Sequence, residues 1–325
     1  MCDGFEKGSY DAGKLAAFLK KKNKKAETFY VGVGQRSVSQ IRQENQLRTA
    51  IEVYLDQHRE SLVTKSAVSI RNAITEHILS QPAFAWAKNP EPGPTGSWKF
   101  ARILKLTGIV LLLLLFSPII IPFVLIWWLI MLGIEMSEKD VPCPMDKAHI
   151  RELTDRETGI VQTQFSAVGN VKPGWFRKQT MMFLLRMTNF LAPYLFTKGK
   201  LSGIPTVHFA RWLIINEGRQ MLFLSNFDGN SEGYLRDFIH IAAKQLTLMF
   251  THTIGYPKTR LMVFGGAADA KGFMEWARAK QVITNVWYSA NPDVSVKNIF
   301  HNSKIRSGFY GEMSEEQARK WLQLL

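Results

Sequence analysis

An uncharged stretch from Thr107 to Ile134 constrains this chain more than any other feature. It reads TGIVLLLLLFSPIIIPFVLIWWLIMLGI and holds no charged residue over its 28 positions. About 20 apolar residues in a helix suffice to cross the hydrocarbon core of a bilayer. The remaining sequence mixes polar and apolar residues, so we predict a membrane segment between parts that fold in water.

Two prolines bear on how this segment sits in a bilayer. A straight helix of its length would measure about 42 Å, whereas the hydrocarbon core is about 30 Å thick. Pro118 and Pro122 each remove a backbone donor and disfavour helix at the preceding residue. The sequence leaves two arrangements open, a single kinked span and a shallow re-entrant hairpin.

The charges around the segment favour the hairpin. Cations precede it, at Lys99, Arg102 and Lys105, and mainly acids follow it, at Glu135, Glu138 and Asp140. The positive-inside tendency therefore places the N-terminal side in the cytoplasm. The residues between Glu157 and Glu217 include no acid, and their cations include Lys172, Arg177, Lys178, Arg186, Lys198, Lys200 and Arg211. Such a face suits an anionic cytoplasmic leaflet, so we predict that both water-soluble parts are cytoplasmic.

The overall charge of +14 raises the question of nucleic acid. The cations are scattered among apolar helical stretches and do not accompany a nucleic-acid-binding motif, so we expect membrane lipids as partners and no nucleic acid. Two cysteines, Cys2 and Cys143, are too few to argue for an oxidising compartment. The sequence has no P-loop, HExxH, CxxCH, paired CxxC or GxSxG motif, which excludes the site classes that those motifs define.

Three regions follow from composition. Residues 1–97 are polar and mainly helical, with a possible strand at 28–34, and end in the linker-like NPEPGPTGS. Residues 98–147 hold the membrane segment and its flanks, and 148–325 have the size and patterning of an α+β domain.

The element order of the third region indicates its fold. The predicted strands are Gly159 to Val171, Thr206 to Ile215, Arg219 to Phe227 and Val282 to Ser289, and the predicted helices are Pro173 to Phe196, Ser231 to Lys244 and Asp269 to Lys280. Asn216, Glu217 and Gly218 separate the second and third strands and predict a hairpin. The sum is β-α-β-β-α-β, the ferredoxin-like order.

An internal echo suggests a duplicated half-domain. Six residues recur at one fixed offset: Tyr30, Ser37, Val38, Ile41, Leu47 and Arg48 correspond to Tyr288, Ser295, Val296, Ile299, Ile305 and Arg306. Both copies are predicted to form a strand, a turn and a helix. If the echo is a duplication, the N-terminal region docks on the C-terminal domain, which again favours a membrane hairpin.

The string TVHFARWLIINEGRQMLFLSNFDGNSEGYLRDFI, from Thr206 to Ile239, resembles a group of largely uncharacterised, membrane-associated bacterial proteins. Their fold is the dimeric α+β barrel, and they are distantly similar to dye-decolourising peroxidases. The likeness extends over roughly Gly159 to Leu325, and Asp228 and Gly229 match the end of the peroxidase GxxDG motif. The resemblance implies a homo-oligomer and a haem held by a proximal histidine, with an acid or an arginine on the distal side.

On this resemblance, His208, Arg211 and Asp228 are the candidate catalytic residues. His208 and Arg211 lie in one predicted strand, whose alternation puts them on opposite faces unless a bulge intervenes. The plain alternatives are a half-buried sheet histidine, a surface or ion-paired arginine, and a loop-bonding aspartate. His240 and His252 are the candidate haem ligands, and each has an ordinary structural histidine as its alternative.

The predicted helix over Gly174 to Phe196 is apolar nearly all round, with a few cations. It suits either a core helix that covers the sheet or an interfacial helix whose Arg177, Lys178 and Arg186 meet lipid phosphates.

Two function classes remain. One is a membrane-anchored binding or assembly module with a lipid or apolar ligand, and the other is a haem-dependent, peroxidase-like oxidoreductase that acts on an apolar substrate.

Overall fold

The computed structural model describes residues 11–34, 36–90, 95–157, 160–195, 201 and 203–325. Several sequence predictions concern residues outside these ranges: Cys2, Gly159, Phe196, Lys198 and Lys200. Four residues of the predicted linker, 91–94, also lie outside them.

The described residues form an α+β structure. Its α-helices are α1 (Ala12–Lys22), α2 (Val38–Leu62), α3 (Ala67–Leu79), α4 (Gly96–Leu115), α5 (Ser117–Ser137), α6 (Lys147–Arg156), α7 (Trp175–Leu195), α8 (Ser231–Phe250), α9 (Ala270–Lys280), α10 (Val296–Ser307) and α11 (Glu315–Leu322). Its strands are β1 (Thr28–Val31), β2 (Gln162–Asn170), β3 (Val207–Ile215), β4 (Gln220–Asp228), β5 (Thr259–Arg260), β6 (Phe264–Gly265) and β7 (Gln281–Val282).

The main sheet has five strands in the order β1-β3-β4-β2-β7, and every pairing in it is antiparallel. The β3–β4 hairpin forms where the sequence predicts it. Its turn places Asn216, Glu217 and Gly218 at positive φ values of 49°, 56° and 88°, a backbone region that Gly and Asn tolerate best. The outer strand β1 comes from the N-terminal region, so strands from before and after the apolar segment belong to one sheet.

One face of this sheet carries the main core. Alternate residues of β2, β3 and β4, including Phe165, Trp212 and Phe223, meet α7, α8 and α9 in a single buried cluster. The rings of Trp212 and Phe223 lie 4.7 Å apart between centroids. Because side chains alternate along a strand, this pattern leaves the opposite face with Phe29 and Phe209, which stack on each other at 6.1 Å.

The N-terminal helices form a second core with the C-terminal ones. Leu47 and Ile51 of α2 lie in one buried cluster with Ile74 of α3, Ile305 of α10 and Trp321 of α11. Residues that precede the apolar segment in the sequence thus pack against residues that follow it.

The internal echo is matched in its helices and not in its strands. Ser37 caps α2 by accepting from the Gln40 amide, and Ser295 caps α10 by accepting from the Asn298 amide. In contrast, Tyr30 is buried in β1 whereas Tyr288 is exposed and lies outside any strand. The predicted last strand over Val282 to Ser289 is wrong. In this region only Gln281 and Val282 pair with another strand, which is β2.

The apolar segment forms two helices, α4 and α5, with a break at Phe116 (φ −91°, ψ 3°). Pro118 lies in the first turn of α5, where its missing N–H costs no hydrogen bond, and Pro122 lies inside that helix. Among the described residues, α5 is the one helix long and apolar enough to cross a membrane. No α4 residue is buried, and both helices expose long apolar runs to their surroundings.

Candidate functional site

His208 and Asp228 form a hydrogen-bonded pair at the end of the β3–β4 hairpin. His208 Nε2 lies 2.6 Å from Asp228 Oδ1, and both side chains are largely buried. The register of β3 against β4 shifts between Val207 and Phe209, so a β-bulge at His208 redirects its side chain. The bulge places His208 beside Phe209 on the wall of one cavity, whereas strict alternation would have separated them.

Backbone contacts hold Asp228 in this pair. Its Oδ2 accepts from the Val296 amide at 2.8 Å, which is the first residue of α10 and a favourable place for a carboxylate. The N-terminus of α10 thus holds Asp228 through Oδ2, while Oδ1 faces the imidazole of His208. In a neutral imidazole this contact puts the proton of His208 on Nε2 and leaves Nδ1 as an acceptor.

A small cavity of about 180 Å³ adjoins His208. Polar groups of Gln162, Asn226 and Asn291 contribute to its wall, together with apolar groups of Ile41 and Ile299. No hydrogen bond joins His208 Nδ1 to another described residue. An imidazole oriented by a carboxylate, in the wall of a polar cavity and with a second nitrogen that bonds no described residue, has the arrangement of a general base.

Arg211, the third predicted catalytic residue, does not line that cavity. It lies on β3 opposite Phe29 of β1, and its guanidinium sits over the Phe29 ring at 5.6 Å from the centroid. Phe209 and Arg211 share a face of the sheet because they are two positions apart, and the bulge brings His208 to that face without bringing Arg211 into the cavity. The structure thus brings His208 and Asp228 together and places Arg211 in an aromatic stack.

The two predicted haem ligands lie apart from each other and from His208. His240 is exposed on α8, whereas His252 is fully buried after the end of α8. The Arg177 guanidinium approaches His252 Nδ1 at 3.5 Å, and a guanidinium can only donate, so the proton of His252 belongs on Nε2. Iron would need the lone pair of Nε2 with Nδ1–H held by an acceptor, which is the opposite tautomer. His252 therefore does not fit the proximal ligand of a haem, and the exposed His240 lies outside the buried core.

His252 belongs instead to a buried charged cluster that fastens the end of α5 to the domain. Glu138 contacts Arg177 in an ion pair and accepts from Lys172 Nζ at 2.8 Å. Burial, with the nearby positive charges of Arg177 and Lys172, lowers the pKa of His252 to about 3, so its imidazole stays neutral. Arg177 therefore serves inside the protein and is not available to lipid phosphates.

Glu135, one turn before Glu138, makes a second attachment that the sequence did not predict. It is buried, and its carboxylate accepts from the Met262 amide at 3.1 Å and from Thr259 Oγ1 at 2.7 Å. Met262 and its neighbour Leu261 have positive φ values of 60° and 57°, a conformation that needs such support in residues other than glycine. Trp128 Nε1 donates to the Leu261 carbonyl at 2.9 Å, so α5 anchors this turn twice.

The first helix of the apolar segment borders a larger cavity, of about 530 Å³. It lies between α4, the C-terminal end of α7 and β1. Its lining includes Trp98, Arg102 and Lys105 of α4 and Tyr194 of α7. The Arg102 guanidinium sits over the rings of Trp98 and Tyr194, at 5.3 Å and 5.2 Å from their centroids.

The described residues contain no group of three or more His, Cys, Asp or Glu side chains that could hold a metal ion. Comparison of the chain with protein-family models, with curated proteins and with solved structures finds no match.

Proposed function

We propose that this protein is a membrane-anchored binding module whose α4–α5 hairpin enters one leaflet and returns, leaving an α+β domain on the membrane surface. The observation that carries this proposal is the pairing of β1 with β3. These strands lie on opposite sides of the apolar segment in the chain and belong to one sheet. A single crossing would put them on opposite sides of the bilayer, so the number of crossings between them must be even.

Two crossings do not suit the lengths of the two helices. Near the apex, α4 extends about 20 Å from Arg102 to Leu115, and α5 extends about 15 Å from Ser117 to Trp127. Each leg then meets α7: Arg102 donates to the Pro193 carbonyl at 3.2 Å, and Trp127 Nε1 donates to Thr180 Oγ1 at 2.8 Å. Legs of this length match one leaflet, about half of a 30 Å hydrocarbon core.

The outer face of α7 continues the apolar surface of the hairpin. Met181 and Leu185 face the core, whereas Phe183, Met187 and Phe190 are exposed. Trp127 of α5 packs on Phe183 with 5.8 Å between ring centroids. We therefore assign α7 both predicted roles, core helix and interfacial helix. One side of it covers the sheet, and the other presents aromatic and Met side chains to the membrane interface. Of its three predicted phosphate-binding cations, Arg186 stays exposed.

Orientation follows from charge. The cations before the hairpin and the acid-free, basic stretch after it favour the anionic cytoplasmic leaflet, so we place the domain on the cytoplasmic side. The strand order β7-β2-β4-β3 is the order expected of a ferredoxin-like sheet, and we assign the domain to that class, with β1 as an added edge strand. A homo-oligomer stays a prediction from the resemblance.

A test of the anchor replaces apolar residues whose side chains are exposed. Leu111, Leu114, Leu115 and Ile119 are exposed near the apex, so changing all four to Asp should leave the fold intact. We expect the variant to leave the membrane fraction on an alkaline wash that retains the wild type, because a charge in the hydrocarbon region costs about 2.5–3.5 kcal/mol. A control, Val53→Asp in α2 with Val63→Asp directly after that helix, changes two exposed positions and should stay in the membrane. Retention of the apex variant would reject the anchor.

The His208–Asp228 pair favours a second function, acid–base chemistry on a small polar ligand, in place of haem-dependent oxidation. Diethyl pyrocarbonate acylates imidazole nitrogens that carry an accessible lone pair. In the folded protein we expect modification of His208 well before His252, whose side chain has no exposed surface, with peptide mass spectrometry as the readout. Equal protection of both histidines would remove His208 as a base.

A further inference from the structure

The larger cavity, beside α4, is lined by two cations that the hairpin anchor does not require. Two of its lining residues, Arg102 and Lys105, are cations three positions apart on α4, so their side chains lie on the same side of the helix. No acidic residue is among the described residues that line it, and neither cation forms an ion pair with a described residue. The cavity therefore holds uncompensated positive charge.

The aromatic residues around these cations fix the position of the guanidinium. Trp98 and Tyr194 flank Arg102, and its one hydrogen bond to a described residue goes to the Pro193 carbonyl. Because a guanidinium has five N–H donors, most of them are free for a ligand. The Lys105 ammonium lies 5.6 Å from the Phe190 ring centroid, at the same end of α7. Rigid, planar donors beside an ammonium are suited to phosphate.

The surface next to the cavity suits acyl chains. After Lys105, α4 carries no further charge, and Val110, Leu111 and Leu114 are exposed along it. The cations thus stand at the boundary where the uncharged stretch begins, which is the level of lipid headgroups when the hairpin lies in a leaflet. A ligand that satisfies both surfaces has an anionic phosphate head and an apolar tail.

We propose that the cavity between α4, the end of α7 and β1 binds an anionic phospholipid, with its phosphate on Arg102 and Lys105 and its acyl chains along α4. This proposal rests on the proposed membrane anchor, since the anchor brings the cavity to headgroup depth. It adds lipid selectivity to a hairpin whose apolar residues would enter any bilayer.

The test uses the full chain in mixed micelles of a neutral detergent, so that binding does not depend on insertion into a bilayer. Energy transfer from protein tryptophans to an acyl-labelled lipid reports binding of phosphatidylglycerol or phosphatidylcholine. We expect the wild type to prefer phosphatidylglycerol by about tenfold or more, because charge-assisted hydrogen bonds to phosphate are the strong ones. Arg102→Gln with Lys105→Gln should abolish this preference.

The control variant removes the same charge elsewhere. Lys99→Gln with Lys139→Gln changes two exposed cations that do not line the cavity, and it should keep the preference. If both double variants lose the preference equally, the selectivity is a general charge effect and the site is rejected. Competition by glycerol 3-phosphate as strong as that by the lipid would reject an amphiphilic ligand.

Membrane retention separates this proposal from the anchor. The Arg102→Gln, Lys105→Gln variant should resist the alkaline wash as the wild type does, because the apolar apex is unchanged. Lost selectivity with retained anchoring supports the lipid site. A wild type that prefers neither lipid in micelles yet stays in the membrane overturns the lipid site and leaves the anchor standing.

Discussion

Tyr30 lies directly opposite Ala210 in the antiparallel pairing of β1 with β3, although the whole apolar segment separates the two residues in the chain. Both are buried in the main core. This pairing ties the N-terminal region to the domain and makes a single membrane crossing between them incompatible with the sheet.

Gly32 provides a direct test of that pairing. Its amide donates to the His208 carbonyl at 2.7 Å, and a Cβ at this position would lie 2.0 Å from the Val207 carbonyl oxygen. We expect Gly32→Ala to lower the free energy of unfolding by about 1–3 kcal/mol, because the backbone of β1 must move away from β3. Hydrogen exchange at the β1 amides should accelerate.

A nearby glycine serves as the control for this change. At Gly34 a Cβ would meet its nearest atom, the Val31 carbonyl oxygen, at 3.9 Å, an ordinary contact. Gly34→Ala should therefore change stability by no more than about 0.5 kcal/mol. Equal stability of the two variants would mean that β1 does not approach β3 as closely as described.

The attachment of α5 depends on Glu138. Its removal in Glu138→Ala leaves the Arg177 guanidinium, which is 1% exposed, without its acidic partner. We expect a loss of about 3 kcal/mol in the free energy of unfolding, since breaking a buried pair strands a charge. Glu232→Ala, which removes an exposed pair with Arg236, should cost less than about 1 kcal/mol by the same denaturant titration. Similar losses in both variants would contradict the buried role of Glu138.

His252 gives the stability a pH dependence of definite sign. Burial and the neighbouring cations hold the pKa of His252 in the folded protein at about 3, below the ordinary histidine value of 6.5. Between these values the unfolded chain binds the extra proton, so stability falls as the pH falls, by up to about 1.4 kcal/mol per pH unit. His252→Gln offers Arg177 an acceptor that does not titrate, and its stability should fall less steeply between pH 6.5 and pH 4. Parallel curves for wild type and variant would refute the neutral, buried imidazole.

The parts of the fold that the sequence predicts are those with a local cause. The turn at Asn216, Glu217 and Gly218 has residues that tolerate positive φ, and the flanking strands follow from it. The order of strands and helices from β2 to α9 also agrees with the sequence patterns, although α8 continues to Phe250, beyond the predicted end at Lys244, because the apolar LTLMF prolongs its buried face.

What the sequence could not predict depends on distant partners. Residues after Val282 have strand-like composition, but no neighbouring strand pairs with them beyond Ser166 opposite Val282. The bulge at His208 leaves no mark in an alternating pattern, so its effect on the face of His208 was not predictable. In the sequence, Glu135 and Glu138 look like ordinary flanking acids of an apolar helix. Their structural roles depend on distant partners, the amide of Met262 for Glu135 and the guanidinium of Arg177 for Glu138.

The most direct test of the hairpin measures on which side of the membrane its two ends lie. In a chain with Cys2→Ser and Cys143→Ser, single Ser97→Cys and Ser137→Cys variants place a thiol at the exposed start of α4 and the exposed end of α5. In sealed vesicles of known orientation, a membrane-impermeant maleimide should label both thiols from the same, cytoplasmic side. Labelling of the two thiols from opposite sides would establish a single span and contradict the account.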